Sequence, residues 1–198
     1  KALEEINKEN QELAYTSLKP LPQYAEGESV TALKLVRSAG IDPATGQEIF
    51  IKKDGTYTYK YDEDDRVAVG NSNPVLNGSW INTLRYKGFT LSLTTSYTFG
   101  ADFYNTTLQS KVENIDPYKN VDARAYTERW KNPGDLVRFL AINTVNNQMV
   151  NSERFVERRN EIYVSNVQFT YDFQTKWLNK IGLKRLCLGL GMSDIGYI

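Results

Sequence analysis

The sequence predicts an all-β fold: an antiparallel segment of a transmembrane β-barrel with long extracellular loops. Three observations carry this. Residues 89–99 alternate between apolar and polar over their whole length, with Thr95 the only polar member of the apolar parity. A turn of two or three residues follows one strand, whereas the connection 100–161 follows the next. Aromatic side chains are abundant, with 13 tyrosines, 8 phenylalanines and 3 tryptophans, which suits strands and membrane interfaces.

The composition removes several function classes. Lysine plus arginine number 24, as do aspartate plus glutamate, so no global basic field points to nucleic acid. The chain has no histidine and one cysteine, Cys187. A His–Cys metal site, a Ser-His-Asp triad and an intrachain disulfide are therefore impossible within it. No run is long and apolar enough for a membrane helix. The first ten residues, KALEEINKEN, lack the apolar core of a signal peptide.

Each element is then read in order. Residues 2–15 place Leu3, Ile6 and Leu13 at helical spacing on a short surface helix. Residues 16–46, with their prolines, glycines and acids, read as loop, ending in a turn at Asp42, Pro43, Ala44, Thr45 and Gly46. Residues 48–53 and 56–61 flank Asp54 and Gly55, a favoured two-residue hairpin turn, with Tyr57, Tyr59 and Tyr61 on one face. Asp62, Glu63, Asp64 and Asp65 form an acidic run, and residues 70–74 a turn.

The barrel strands follow. In 76–86, Leu76, Trp80, Leu84 and Tyr86 share a parity, which Ile81 breaks. In 89–99, Phe89, Leu91, Leu93, Tyr97 and Phe99 occupy one face, and Thr90, Ser92, Thr94, Ser96 and Thr98 the other. Such a run suits a tilted membrane strand of about 9–11 residues. Tyr86, Lys87 and Gly88 join the two into a hairpin. In 162–173, Tyr163, Val167, Phe169, Tyr171 and Phe173 alternate with Asn166, Gln168, Thr170 and Asp172. In 184–193, Leu186, Leu188, Leu190 and Met192 alternate with Cys187, Gly189, Gly191 and Ser193. The linker 174–183, with Trp177, Leu178 and Ile181, has room for one helical turn. Short periplasmic turns and long outer loops make 1–75 an extracellular loop region with a short helix and hairpin. They make 76–198 the barrel strands, with 100–161 as one large extracellular loop.

Candidate sites are few. The acidic run could bind calcium, although it lacks the spacing and glycine of an EF-hand loop, and a solvated loop is the plainer reading. No carboxylate pair stands out for glycosidase chemistry. In the long loop, Arg129 and Arg154, with Arg124, Arg138, Arg158 and Arg159, could meet an anionic ligand or partner, or anchor the loop to carbonyls and acids. Trp130 and Tyr126, with Phe103, Tyr104 and Tyr118, could stack on a sugar or pack the loop. Arginines beside aromatics are typical interface anchors. Arg129, Trp130, Tyr126 and Arg154 are therefore the candidate binding residues for loop or partner contacts. Cys187 reads as a small lumen residue.

In several places the chain resembles the C-terminal region of the SusC/RagA family of TonB-dependent transporters. The runs are AL-x-x-IN-x-x-N at 2–10, VRSAGIDPATGQEIFIKKDGT at 36–56, GNSNPVLNGSWINTLRYKGFTLS at 70–92, RWKNPGD at 129–135, SERFVE at 152–157 and KWLNKIGLKRL at 176–186. The resemblance implies an outer-membrane barrel of about 22 strands, of which this chain supplies four. The N-terminal plug, the segment that contacts TonB and a last strand with an aromatic end would lie outside it. It further implies import of a bulky nutrient, an oligosaccharide or peptide, beneath a SusD-like surface lipoprotein, with no reaction and no cofactor. The rival reading is a soluble all-β carbohydrate-binding surface module.

Overall fold

The computed structural model describes residues 1–14, 20–115, 118, 120–142, 150–173 and 178–198. The chain forms two compact units, one of Lys1–Asn73 with Asp102–Arg158, the other of Pro74–Ala101 with Arg159–Ile198. They cut the chain differently from the two segments read from the sequence: 1–73 and most of the long connection build a single unit.

That first unit begins with helix α1 (Ala2–Ala14). Glu4 and Glu5 sit in its first turn, where the helix dipole favours acids. The Asn7 amide makes two hydrogen bonds with the Tyr24 backbone, both 2.7 Å, and Asn10 donates to the Pro22 carbonyl. These bonds fasten the extended run after the helix along its side.

Four strands follow: β1 (Ala32–Ile41), β2 (Glu48–Ile51), β3 (Tyr57–Thr58) and β4 (Arg66–Asn71), in the order β3-β2-β1-β4. β1 overturns the loop expected over 16–46. Its alternation is hidden because the register shifts twice, between Leu33 and Lys34 and between Ser38 and Gly40. Such bulges insert an unpaired residue and reset which face the next side chain takes. The adjacent Leu35 and Val36 are accordingly both buried, and Val36 bridges to Ser152.

The β2–β3 hairpin is present but shorter than expected. Gly55 N–H donates to the Lys52 carbonyl, and Lys52 N–H to the Thr56 carbonyl. With Gly55 at φ 88, this is a three-residue loop closed by a glycine bulge, not a two-residue turn. Asp54 secures it by accepting from Thr56 N–H and Oγ1. β3 ends at Thr58, so the three tyrosines share no strand face. Tyr57 and Tyr59 are exposed, whereas the Tyr61 hydroxyl donates to Glu63.

The core of this unit gathers Leu35, Tyr104, Leu108, Val112, Ala125, Phe139 and Phe155. Leu108 ends the single turn α2 (Thr106–Leu108), which Asn105 caps and a π-helical turn (Gln109–Glu113) continues. Ala125 comes from α3 (Arg124–Thr127). Phe139 pairs in a short parallel bridge with Arg129.

The second unit is one sheet in the order β5-β6-β7-β8. β5 (Leu76–Tyr86) and β6 (Phe89–Tyr104) pair without a break from Leu76↔Phe99 to Tyr86↔Phe89. Lys87 and Gly88 turn between them at φ 45 and 88, the paired left-handed conformation whose twist matches the strands. β7 (Val156–Asp172) pairs antiparallel with β8 (Cys187–Tyr197). Val164 faces Gly196 and Asn166 faces Ser193, so β8 carries an extra residue there. Asp194, at φ 52, takes up the bulge and accepts from the Tyr163 hydroxyl at 2.9 Å. β6 and β7 run further into 100–161 than their alternation predicts, leaving 105–155 as the connection. Trp177 lies outside the described residues.

Candidate functional site

Period-two geometry builds the first candidate surface. In the β5–β6 register Leu76 faces Phe99, Gly78 faces Tyr97, Leu84 faces Leu91 and Tyr86 faces Phe89, all of one parity. Gly78 is required there, since a Cβ would stand 2.6 Å from the Tyr97 hydroxyl laid across it. In the β7–β8 register Val167 faces Met192, Phe169 faces Leu190 and Tyr171 faces Leu188. The two hairpins present the same face, because Phe89 packs on Phe169 and Tyr171 with ring centroids 5.5 and 4.3 Å apart. Trp80, Leu84, Leu188, Leu190 and Met192 remain more than half exposed on it, Leu190 at 77%.

The opposite face is polar apart from Ile81, which faces Thr94 and is exposed. Ser79 faces Ser96, Thr83 faces Ser92, Gln168 faces Gly191 and Asp172 faces Cys187. Water would penalise the apolar face, since about 25 cal/mol per Å² is lost for apolar surface left exposed. A contiguous exposed patch of this kind marks an interaction surface. Among the described residues no helix is long and apolar enough to cross a membrane, which says nothing of crossing by strands.

The second candidate surface is the loop that holds Tyr126, Arg129, Trp130 and Arg154. Arg129 is 4% exposed and spends its guanidinium on four main-chain carbonyls. Nε donates to Ala125 at 2.9 Å, Nη1 to Leu140 at 3.0 Å, and Nη2 to Val112 and Glu113 at 2.5 and 2.7 Å. It thereby ties α3, the π-helical turn and the segment around Phe139 together, which is the loop-anchoring role. Trp130 is half-buried, and its indole N–H donates to the Pro43 carbonyl at 2.8 Å. Its ring covers Gly46, where a Cβ would lie 2.6 Å away. The turn at 42–46 is thus clamped onto the loop, with Gly46 at φ 71 and Asp42 accepting from Ala44 and Thr45.

The Arg154 side chain is only 9% exposed. Its Nη2 donates to Glu48 at 2.9 Å and to Glu113 at 3.0 Å, and Nη1 to the Arg138 carbonyl at 2.7 Å. Burial works against its charge, and the two carboxylates outweigh this and raise its pKa. Burial likewise lifts the Glu113 carboxyl above its ordinary value, against the pull of Arg154. Glu48 and Glu113 carry no sequence signal, because each sits in a run that scans as ordinary polar surface. Tyr104 joins the cluster through its hydroxyl, which donates to Asn151 Oδ1. Burial drives that phenol's pKa upward.

Tyr126 differs from these three. It is 72% exposed, with the Lys131 ammonium 3.6 Å from its ring centroid. Arg124 is held by Asp122, whose carboxyl this bond lowers to about 2, and Arg138 pairs with Glu157. In the acidic run, Asp62 caps Asp64 N–H, Asp65 accepts from Lys53 N–H, and Glu63 pairs with Arg66. The acids are spent on local structure, and no group of three or more metal-ligating side chains occurs among the described residues.

No protein-family profile matches the chain. A curated relative, the TonB-dependent receptor P39 of Formosa agariphila, strain DSM 15362, is 28% identical over 155 residues, covering 76% of this chain. The chain spans only 15% of that receptor's length. The solved RagAB peptide importer in its open-open state aligns with TM-score 0.70 at 14% identity, over 84% of this chain and 19% of that one. The closed-closed state aligns with TM-score 0.68 at 15% identity over the same shares. The fold is therefore that of part of the RagAB importer, and the curated relative is a TonB-dependent receptor, in line with the resemblance read from the sequence.

Proposed function

We propose that this region is part of the barrel wall and outer loops of a TonB-dependent outer-membrane importer for a bulky nutrient, a glycan or a peptide. In this reading β5–β8 cross the outer membrane. The unit built from 1–73 and 102–158 stands at the extracellular mouth, where a SusD-like surface lipoprotein covers it. TonB acts through parts of the protein outside this chain. No reaction is assigned.

One observation carries the reading: four neighbouring strands present a single apolar face rich in Leu and aromatics, against an opposite face mainly of Ser, Thr, Gln and Gly, with Ile81 the exception in β5. Lipid outside and water within a lumen require that division. Exposed aromatic and apolar side chains on the loop unit, Tyr126, Tyr57 and Leu136, support a partner at the mouth. A soluble carbohydrate-binding module would need its apolar strand face covered, and Leu190 and Met192 stand exposed on it.

Single-cysteine labelling in the full-length protein, with Cys187 replaced by serine, tests this. A lipid-phase maleimide should modify cysteines at Leu93 and Leu190 and spare those at Thr94 and Gln168. Equal labelling of both sets, or recovery of the protein as a soluble species without detergent, refutes it.

A further inference from the structure

The β5–β6 turn and the β7–β8 connection lie at one end of the sheet, because Asp172 N–H donates to the Gly88 carbonyl at 2.9 Å. That end is basic. Arg85, Lys87, Lys180, Lys184 and Arg185 gather there, and among the described residues of 85–90, 170–173 and 178–187 Asp172 is the sole acid. Arg185 already pairs with it through Nε at 3.1 Å and Nη2 at 2.9 Å. The opposite end is mixed: Arg159 pairs with Glu161, and Asp194 takes the Tyr163 hydroxyl.

Arg85 pairs with Thr90 on the polar side, and Arg185 reaches Asp172, also on that side. Lys87 occupies the turn tip. Lys184 stands at a bend three residues before β8 begins. Both are exposed, as is Lys180. Immediately inward on the apolar face lies a cluster of aromatic rings. Phe89 packs on Tyr171, Tyr171 meets Phe173 at 4.8 Å, and the Lys87 ammonium stands 5.2 Å from the Tyr86 ring centroid. An aromatic layer with lysines just beyond it, and no free acid, is the order met on passing from acyl chains through the interface to anionic headgroups.

We propose that Lys87, Lys180 and Lys184 form a binding rim for anionic phospholipid headgroups at the turn end of the barrel wall. The inference rests on the membrane reading of β5–β8. Charge complementarity and continuity with the apolar face carry it. Each lysine held at an anionic surface strengthens association about fivefold.

The test reconstitutes the full-length protein in nanodiscs of phosphatidylethanolamine with and without phosphatidylglycerol, and counts retained lipids by native mass spectrometry. Wild type should retain phosphatidylglycerol in preference. Lys87→Gln, Lys180→Gln and Lys184→Gln should each reduce the preference, and the triple variant should abolish it. Heat-modifiable migration in detergent reports barrel assembly separately: its loss in wild type defeats the membrane reading. An assembled triple variant with undiminished preference overturns the headgroup rim alone, as does full displacement of the lipid by inorganic phosphate. If the triple variant fails to assemble, the single variants decide.

Discussion

Arg129→Ala should open the loop unit without dismantling the strands. The side chain donates to four carbonyls, those of Ala125, Leu140, Val112 and Glu113. Removing it leaves these acceptors in a space too enclosed to hydrate freely. Each buried group left without its partner costs about 1–3 kcal/mol. Because the four share one neighbourhood their losses do not add fully, and a total of about 4 kcal/mol is expected. Against a typical domain stability of about 5–15 kcal/mol, that approaches local unfolding. The assay is hydrogen exchange on the full-length protein in detergent. Protection over 108–113 and 125–140 should fall by about a thousandfold, while β5–β8 keep theirs. Arg129→Lys should recover little, because a single ammonium cannot span four carbonyls from a fixed plane. Unchanged protection in Arg129→Ala refutes the reasoning. Full rescue by lysine would mean that attraction to Glu113 matters and the carbonyls do not.

The remaining predictions concern neighbouring residues. Burial raises the Glu113 carboxyl above its ordinary 4.5, so its contribution favours the folded loop below that value and is lost as pH rises through the folded-state pKa. Exchange-corrected protection over 108–113 should therefore decline less with rising pH in Glu113→Gln than in wild type, and an identical slope in both refutes this. Glu157, held low in the fold despite its partial burial by Asn105 and Arg138, acts in the opposite sense and serves as the control. Tyr126→Ala should leave loop protection intact and weaken co-purification of a SusD-like lipoprotein about tenfold, the scale of an interface aromatic; undiminished recovery removes Tyr126 from any such contact.

The β5–β6 hairpin was legible in the sequence because its period, its turn and its burial agree. Each apolar residue of 89–99 meets one requirement, and no bulge resets the count. β1 was not legible, because its two register shifts disguise the alternation and both of its faces carry side chains against other parts of the unit. The outer reaches of β6 and β7 were missed for a different reason: there the strand continues without needing an apolar face, and alternation is the only signal that sequence offers. Arg129 and Arg154 could be singled out for loop or partner contacts, but the two roles could not be told apart. The same residue type anchors carbonyls in a core or a partner across an interface, and only the positions of Glu48, Glu113 and the four carbonyls decide between these.

The uninterrupted β5–β6 ladder also bears on how the chain folds. The first unit is discontinuous, with residues 74–101 placed between its halves. Its core nevertheless joins Leu35 to Tyr104, and Asn71 N–H donates to Asp102 Oδ2 at 3.0 Å. A hairpin with a two-residue turn makes only local contacts and forms in about 1–10 μs. Once zipped from Tyr86↔Phe89 to Leu76↔Phe99, it delivers Asn73 and Asp102 side by side. The entropy of closing that stretch of chain is thereby met by the ladder before the halves of the unit begin to pack. Weakening the ladder near its turn should therefore slow consolidation of a core that contains none of its residues.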